Sequence, residues 1–314
     1  MIAVIGENIV DLLMQADGSF KPHLGGSPFN VAIGVGRQFI ACSYLTPVSE
    51  DIFGLQFEDY LSKNGVLYSA GRRSALPSSI ALVTLDQNGH PHYSIYRHQI
   101  ADRDTTAAQL IQSIPKGTRI LHTGSLALEP QDQPTIIEVL TYAKRCGIKI
   151  SVDINVRLQF VSDTQAYIEG LRRIIPLCDY LKASDEDLAM LYPGHSEDQA
   201  IHAIRQQLDN ALLAYTKGEK GARLITNSFD LNTPVITPKV IGDTVGAGDT
   251  FYSCLLAYLH EFNLDACDNS QLDYKNLHNA LIRAATAASI NVSRNGCLPP
   301  TRSELLFALK DETY

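Results

Sequence analysis

The strongest constraint on the fold of this chain is the alternation of short apolar segments with longer helix-like segments. Residues 2–5, 119–122, 148–152, 179–182 and 212–216 have the length and composition of buried strands. Helix-like segments occupy residues 27–40, 50–63, 130–146, 250–261, 275–292 and 303–309, and another helix follows residue 152 and ends near residue 175. Strands separated by helices at this spacing indicate βαβ units and a parallel sheet. We therefore expect one compact α/β domain.

Composition narrows the class of protein further. Asp and Glu number 34 and Lys and Arg 26 among 314 residues, a net charge of −8 that argues against nucleic acid or an anionic membrane as partner. The six cysteines form no C-x-x-C pair, so neither a zinc site nor a disulfide framework is indicated. No basic leader and no long apolar run occurs, and we expect a cytoplasmic protein.

Residues 76–97 differ in character from the rest of the chain. Residues 79–85 are strand-like, residues 86–89 (Asp-Gln-Asn-Gly) have turn composition, and residues 92–97 alternate again. Together with a hairpin near residues 11–24, these strands form a β excursion outside the main sheet. A lid that excludes water from a cleft is one explanation, and an edge ribbon without function is the other. An exposed sheet edge of this kind could be covered by a second subunit, giving a homodimer.

Residues 241–251, I-G-D-T-V-G-A-G-D-T-F, carry the clearest chemical signal. They precede an apolar run that predicts a helix, so Gly246 to Asp249 lie at its N-terminus, where unpaired N–H groups and the helix dipole favour an anion. Asp249 is then a carboxylate beside a phosphate cradle, placed to accept a proton from an attacking hydroxyl. The alternative is a tight loop with an N-capping aspartate. The dinucleotide pattern fails at Phe251, and no Walker pattern occurs.

The string D-T-V-G-A-G-D-T-F resembles the signature of the ribokinase-like (PfkB-type) carbohydrate kinases. The resemblance implies a single domain over residues 1–314, with a central, mostly parallel sheet flanked by helices on both faces. It also implies a small β-sheet lid from residues 11–25 and 76–102. The implied activity is transfer of the γ-phosphoryl group of ATP to a sugar hydroxyl, with Mg²⁺ and K⁺. The amides of Gly246, Ala247 and Gly248 would form the anion hole and Asp249 would be the base.

The N-terminal segments hold the residues that this resemblance assigns to the sugar. Residues 6–11 (G-E-N-I-V-D) and 25–30 (G-G-S-P-F-N) are similar to the family's sugar-binding aspartate and G-G-x-x-x-N element. The resemblance gives Asp11, Gly25, Gly26 and Asn30 to the sugar. On the residues alone, a turn followed by a helix that Ser27 caps and Pro28 begins explains the second segment equally well.

Two further segments are implied to face the phosphates. Residues 153–157 resemble the family's D-x-N-x-R element, with Ile154 in place of proline. The resemblance implies that Arg157 stabilises the charge of the phosphates, and a surface ion pair is the alternative. Residues 184–187 resemble N-x-x-E, with Ser184 for Asn and Asp187 for Glu, and imply contact with Mg²⁺ and phosphates through water. A capped helix start accounts for the same residues without metal.

The remaining implied contacts concern the nucleotide and a monovalent cation. Residues 216–221 match T-x-G-x-x-G and assign Thr216, Gly218 and Gly221 to the nucleotide, although the pattern alone indicates only a hairpin turn. Residues 291–296 resemble a segment that holds K⁺ beside the anion hole. The implied ligand set is Asp243, Val245, Asn291, Arg294 and Gly296.

Three stretches favour the fructokinase branch: residues 77–83, residues 96–102 and the strand at residues 122–126 (H-T-G-S-L). In that branch Arg97 would reach the sugar from the lid, and Glu129 would also contact it, so D-fructose is the expected substrate. A 2-keto-3-deoxygluconate kinase and a ribokinase are the alternatives within the family. A non-catalytic sugar- or nucleotide-binding regulator is the alternative of another class, and the intact Asp249 argues against it.

Overall fold

A computed structural model describes residues 1–15, 17–85 and 91–310. The strands, in chain order, are β1 (Ile2–Val4), β2 (Ile9–Met14), β3 (Phe20–Gly25), β4 (Cys42–Tyr44), β5 (Val66–Tyr68), β6 (Ser79–Leu85), β7 (Pro91–Tyr96), β8 (Ile120–Gly124), β9 (Lys149–Asp153), β10 (Tyr180–Ser184), β11 (Leu212–Thr216), β12 (Ala222–Ile225) and β13 (Asp230–Thr233). The helices are α1 (Ser27–Arg37), α2 (Ile52–Lys63), α3 (Ala107–Ser113), α4 (Gln133–Arg145), α5 (Thr164–Ile174), α6 (Asp185–Leu191), α7 (Glu197–Arg205), α8 (Ala247–Glu261), α9 (Tyr274–Val292) and α10 (Arg302–Lys310).

The main sheet has nine strands in the order β13-β12-β11-β10-β9-β8-β1-β4-β5. The seven strands from β11 to β5 run parallel, whereas β12 pairs antiparallel with β11 and β13 pairs antiparallel with β12. The carboxyl ends of the parallel strands therefore meet at one edge, which is where open α/β sheets bind ligands. The predicted mostly parallel sheet is confirmed.

Helices cover both faces of this sheet, as expected. Along β1, Ile2 and Val4 join an apolar core with α1, α2, α8 and α9, whereas Ala3 joins a second core with α3 to α7. Successive side chains of a strand point to opposite faces, so a strand buried on both sides is apolar throughout. This explains why the central strands are continuous apolar runs in the sequence.

A second sheet of four strands, in the order β3-β2-β6-β7, joins the two segments that were predicted to form an excursion. Strand β2 begins five residues after β1 ends and pairs with β3 antiparallel and with β6 parallel. Asp11 lies opposite His23 on one side and Ala81 on the other. The turn predicted at residues 86–89 lies outside the described residues.

Several sequence expectations need correction. Helix α1 ends at Arg37 rather than near residue 40, because Phe39 takes a left-handed φ of 59°. Helix α4 begins at Gln133 rather than at residue 130. The loop-like composition of residues 265–273 predicts an exposed stretch, but Leu264–Ala266 and Asn269–Gln271 form short 3₁₀ turns in which Asp265 and Asn269 are buried. Elements that the sequence did not indicate are β4, β5, β12, β13, α3 and α7.

Membrane insertion was not expected from the sequence. Across the helices of residues 1–15, 17–85 and 91–310, none combines the length and apolar character that a membrane span requires.

Candidate active site

The turn before α8 has the geometry that the sequence predicts. Helix α8 begins at Ala247, and Gly246 is its N-cap with a left-handed φ of 70°. As a glycine, Gly246 has no side chain with which to cap the helix. Asp249 is the third residue of the helix, so the alternative of an N-capping aspartate is wrong. The Ala247 N–H donates to the Thr244 carbonyl at 3.2 Å, which gives one of the three predicted anion-hole amides an internal partner.

Close packing explains why glycine occupies position 246. A Cβ there would lie 2.1 Å from Cys297 Sγ and 2.5 Å from Cys297 Cβ. Glycine also adopts a left-handed φ without the steric cost of a side chain. The sequence predicted an anion site at this turn, and the structure adds a tight contact between Gly246 and Cys297 of the C-terminal segment.

Asp249 is held by two donors from the first turn of α1. Ser27 Oγ donates to Oδ1 at 2.7 Å, and Asn30 Nδ2 donates to Oδ2 at 2.8 Å. Ser27 was predicted to cap α1, but the N-cap is Gly26 without a side-chain bond, and the Ser27 hydroxyl reaches Asp249 instead. The carboxylate is only 8% exposed. Asn30, predicted to contact the sugar, therefore lies directly beside the predicted base.

Asp11 approaches the same end of α1 from the four-stranded sheet. A Cβ at Gly25 would lie 3.0 Å from Asp11 Oδ2, so the carboxylate rests against the glycine that precedes Gly26. Burial raises the pKa of Asp11 to about 6. At Gly26, where φ is 112°, a Cβ would lie 2.3 Å from the Glu7 carbonyl oxygen. The structure thus brings together Asp11, both glycines and Asn30, as predicted for a sugar site.

Arg97 and Glu129 face each other at the end of this sheet. Arg97 Nη2 donates to Asp102 Oδ2 at 3.0 Å, and Nη1 lies 3.7 Å from Glu129 Oε1. Glu129 also accepts from Arg103, which forms an ion pair with Asp132 at 2.8 Å. Arg97 Nε and Nη1 are buried and have no hydrogen-bond partner among the described residues. Buried donors are normally paired, so these two groups are exceptions to that rule, and contact of Arg97 with a sugar stays a prediction.

A buried ion pair that the sequence analysis did not assign lies behind the turn. Lys182 Nζ is 2.7 Å from Asp153 Oδ2, and both side chains are almost fully buried. Burial raises the pKa of Asp153 to about 6, although Lys182 acts in the opposite direction. Lys182 Nζ would also lie 3.3 Å from a Cβ at Gly248. A lysine inside a buried strand and an aspartate at a neighbouring strand end were the available signals.

The residues predicted to face the phosphates differ in their hydrogen-bond partners. Arg157 is half-buried, and its Nη1 donates to the adjacent Val156 carbonyl at 3.2 Å. Within the described residues no hydrogen bond joins Arg157 to Asp249 or its turn. Ser184 and Asp187 form a capping box at α6, and Asp187 Oδ1 also accepts the Val156 N–H at 2.7 Å. Both Asp187 oxygens therefore bind backbone amides, as in the alternative without metal.

Residues 216–221 form the hairpin between β11 and β12. Gly218 opens a short 3₁₀ turn with φ of 49°, and Gly221 has φ of 92°. A Cβ at Gly221 would lie 2.1 Å from the Thr233 carbonyl oxygen of β13. The predicted hairpin turn is present, and contact of Thr216 with a nucleotide stays a prediction.

The five residues predicted to hold a monovalent cation do converge. Asp243 Oδ1 accepts the Val245 N–H at 2.9 Å, and Oδ2 accepts the Gly296 N–H at 2.6 Å. The Asp243 N–H donates to the Arg294 carbonyl at 3.0 Å, and Asn291 Nδ2 donates to the Val245 carbonyl at 2.8 Å. In this structure the Asp243 carboxylate and the carbonyls of Val245 and Arg294 each accept N–H groups, and a cation at this loop stays a prediction.

Comparison with known proteins decides the family. The family model for pfkB family carbohydrate kinases matches residues 1–304. The chain belongs to this family. It is therefore an ATP-dependent carbohydrate kinase, and the family expected from its sequence is confirmed.

Several relatives of this chain are named fructokinases. The chain is 30% identical to probable fructokinase-5 of Arabidopsis thaliana, over 100% of this chain and 98% of the relative. It is 32% identical to a fructokinase of Rhizobium leguminosarum bv. trifolii, over 84% and 81% of the two chains. The crystal structure of fructokinase with bound ATP from Xylella fastidiosa superposes with a TM-score of 0.85 at 22% identity, covering 100% of this chain and 99% of that one. That likeness confirms the ribokinase-like fold.

Proposed function

We propose that this carbohydrate kinase is a fructokinase, which transfers the γ-phosphoryl group of ATP to a primary hydroxyl of D-fructose. The observation that carries the proposal is the position of Asp249. It lies at the N-terminus of α8, and two side chains of α1 hold it beside the segment that contains Gly25 and Asp11. A base, an anion-binding helix end and a polar acceptor site thus adjoin each other. The fructokinases among the relatives support fructose as the acceptor.

The proposed reaction is an in-line displacement at phosphorus. The sugar hydroxyl oxygen forms a bond to the γ-phosphorus, the bond to the bridging oxygen breaks, and ADP leaves. Asp249 accepts the hydroxyl proton. Each carboxylate oxygen has two lone pairs, so Asp249 accepts from the sugar while it remains bonded to Ser27 and Asn30. Developing phosphate charge is stabilised by the Gly248 amide and the α8 dipole.

The four-stranded sheet is proposed to act as a lid over the acceptor. It carries Asp11 on β2 next to the sugar-binding glycines, and Arg97 directly follows β7. Water that enters during phosphoryl transfer would compete with the sugar hydroxyl, so a cover over the site protects the reaction. Arg157, which lies half-buried near the phosphate side, is proposed to turn toward the transferring group when ATP binds.

A homodimer through this sheet also stays a proposal. Met14 and Phe20 lie directly opposite each other in β2 and β3, and each is 43% exposed. A pair of large apolar side chains on an exposed sheet is a surface that a second subunit would cover.

The proposed cofactors are Mg²⁺ and K⁺. Asp187 binds backbone amides with both oxygens. In the described part of the chain, no three His, Cys, Asp or Glu side chains converge as metal ligands would. We therefore propose that Mg²⁺ enters with the ATP phosphates. K⁺ would be held by the Asp243 carboxylate and the carbonyls of Val245 and Arg294, and it would steady the loop that leads into Gly246.

Replacing K⁺ by tetramethylammonium at constant ionic strength is expected to lower kcat about 10-fold, equal to about 1.4 kcal/mol in the barrier. The bulky cation cannot enter a pocket of main-chain carbonyls, so the loop before α8 loses its support. Initial rates at saturating sugar and ATP would be compared in the two salts, with Na⁺ as a third condition. Unchanged rates in tetramethylammonium would remove the cation from the proposal.

Charge around the acceptor site favours a neutral sugar over a sugar acid. Arg97 and Arg103 face three carboxylates within one buried cluster, those of Asp102, Glu129 and Asp132. Asp11 on β2 adds another carboxylate, which rests against Gly25. A keto-acid would bring a further negative charge into a site where carboxylates already outnumber guanidinium groups.

The kcat/KM for D-fructose is therefore expected to exceed that for 2-keto-3-deoxygluconate by ~100-fold, and D-ribose, which is also neutral, is compared as a second acceptor. The measurement is ADP release in a coupled assay, with each acceptor varied at saturating ATP. Turnover of the keto-acid without turnover of fructose would instead identify a 2-keto-3-deoxygluconate kinase. Absence of turnover with every acceptor would instead support the non-catalytic alternative.

A further inference from the structure

Glu7 is a buried carboxylate that the proposed mechanism does not use. It follows β1 at the carboxyl edge of the main sheet and is 2% exposed. A carboxylate is costly to bury, because the charged form loses its hydration, and it is retained only where it is compensated. Its surroundings show what compensates it.

The two oxygens of Glu7 accept from two different segments. Oε1 accepts the Ser27 N–H at 3.2 Å, in the first turn of α1. Oε2 accepts the Ala127 N–H at 3.2 Å, in the 3₁₀ turn at residues 125–128. The carboxylate therefore bridges the start of α1 and the turn that leads directly into Glu129.

The bridge ends on Ser27, which is also one of the two residues that orient the base. The Ser27 amide is bound by Glu7, and the Ser27 hydroxyl is bound to Asp249. Asn30, one helical turn further along α1, holds the other Asp249 oxygen. The main chain of Glu7 adds a second restraint, because its carbonyl packs against Gly26 so closely that no Cβ fits there.

We propose that Glu7 is the positioning residue of the acceptor site, and that its ionised carboxylate fixes the first turn of α1, with its two donors to Asp249, against the turn at residues 125–128. The proposal rests on the proposed kinase mechanism, in which Asp249 is the base. Glu7 touches no reacting atom. It acts through α1, because a rigid support for a base is what keeps the base within reach of a hydroxyl.

Protonation of Glu7 would weaken the bridge, since a protonated oxygen donates where it formerly accepted from an amide. Burial raises the pKa of Glu7 to about 7; Arg97 lowers it and Asp102 raises it. The Tyr44 hydroxyl, which donates to the Gly6 carbonyl, is a further titratable group near Glu7, and burial keeps its pKa well above the usual value, so it stays neutral here. Activity is thus expected to fall as the pH drops through about 7.

The test is E7Q, in which one oxygen becomes an NH₂ group that cannot accept from an amide. At pH 8 we expect kcat to fall ~10- to 100-fold, because misplacing a catalytic group by about 1 Å costs up to about 100-fold. The KM for ATP is expected to change less than about threefold, because the two amides that the Glu7 carboxylate binds lie in α1 and in the turn at residues 125–128 and not in the predicted nucleotide hairpin. The variant should lack the fall in kcat near pH 7, and wild-type kcat at low pH should approach that of E7Q.

Two further variants distinguish the position of the Glu7 carboxylate from its charge, and an effect on catalysis from an effect on folding. E7D keeps the negative charge beside Arg97 but is one methylene too short to span both amides, so its kcat should also fall. D265N removes another buried carboxylate, which pairs with Arg119 at the start of β8, and should retain wild-type kcat. Rates are normalised to the folded fraction measured by far-ultraviolet circular dichroism.

Wild-type kcat and an unchanged pH profile in E7Q would overturn the proposal, as would full activity in E7D. The comparison uses whichever sugar the wild-type enzyme turns over. If that sugar is not fructose, fructose is refuted as the substrate. The ratio of variant kcat to wild-type kcat still tests the role of Glu7.

Discussion

Asp249→Asn is expected to lower kcat by ~100- to 10,000-fold, the range that a general base contributes. The amide has nearly the shape of the carboxylate but cannot take a proton from the sugar. Its oxygen still accepts from Ser27, and Asn30 can present its own oxygen to the new NH₂ group by a flip of its amide, so the local structure is retained. The dissociation constant for ATP is therefore expected to stay within about threefold.

The measurement combines steady-state kinetics with calorimetric titration of ATP. D265N serves as the control, because it removes a buried carboxylate from the opposite edge of the sheet. Retention of kcat in Asp249→Asn would refute the assignment of the base. A loss of ATP affinity equal to the loss in kcat would show that Asp249 supports binding rather than proton transfer.

Gly246→Ala is the second substitution with a large expected effect. Its Cβ would overlap Cys297 Sγ, which lies 2.1 Å away, and the residue would be held at a left-handed φ of 70°. The overlap is relieved only if the segment around Cys297 or the N-terminus of α8 moves. A shift of about 1 Å there should lower kcat by ~100-fold.

Gly147 offers a matched control for backbone strain. Its φ is 75°, almost that of Gly246, but a Cβ there has no atom within 4 Å. Gly147→Ala is expected to cost about 1 kcal/mol of stability and leave kcat unchanged. Equal kinetic effects of the two substitutions would show that strain alone, and not the contact with Cys297, matters at position 246.

The double variant Gly246→Ala, Cys297→Gly separates the overlap from the strain. Removing the Cys297 side chain vacates the space into which the new methyl group points. We expect kcat to recover relative to Gly246→Ala, so that the two substitutions are not additive. Thermal denaturation of the four proteins in this cycle would be measured alongside the kinetics.

Local features of this protein were readable from the sequence. The long helices and the apolar central strands follow from hydrophobic periodicity, which depends on neighbours within about one or two turns. The start of α8 could be located because Gly246 and Gly248 precede a long apolar run. The three-residue strands β4 and β5 were missed because so few residues establish no period.

Contacts between distant segments could not be read in this way. Ser27 looked like a helix cap, the role that its position before Pro28 favours, but its hydroxyl bonds to a residue 222 positions further along the chain. Asp187 looked like a metal-site residue by resemblance, and its oxygens bind backbone amides. Where a side chain can take either of two roles, the role depends on the partner that the fold brings near it. The sequence shows which roles are possible but not which partner is near.

The sequence by itself determined the α/β class, the family, and the glycine turn with its aspartate, because each depends on residues that are adjacent in the chain. The tertiary structure alone decided that α1 supplies both donors to Asp249, that Glu7 bridges two segments, and that Cys297 leaves no room for a side chain at Gly246. Those relations arise when parallel strands bring their carboxyl ends to one edge. Strand pairing sets that arrangement, and no local pattern encodes it.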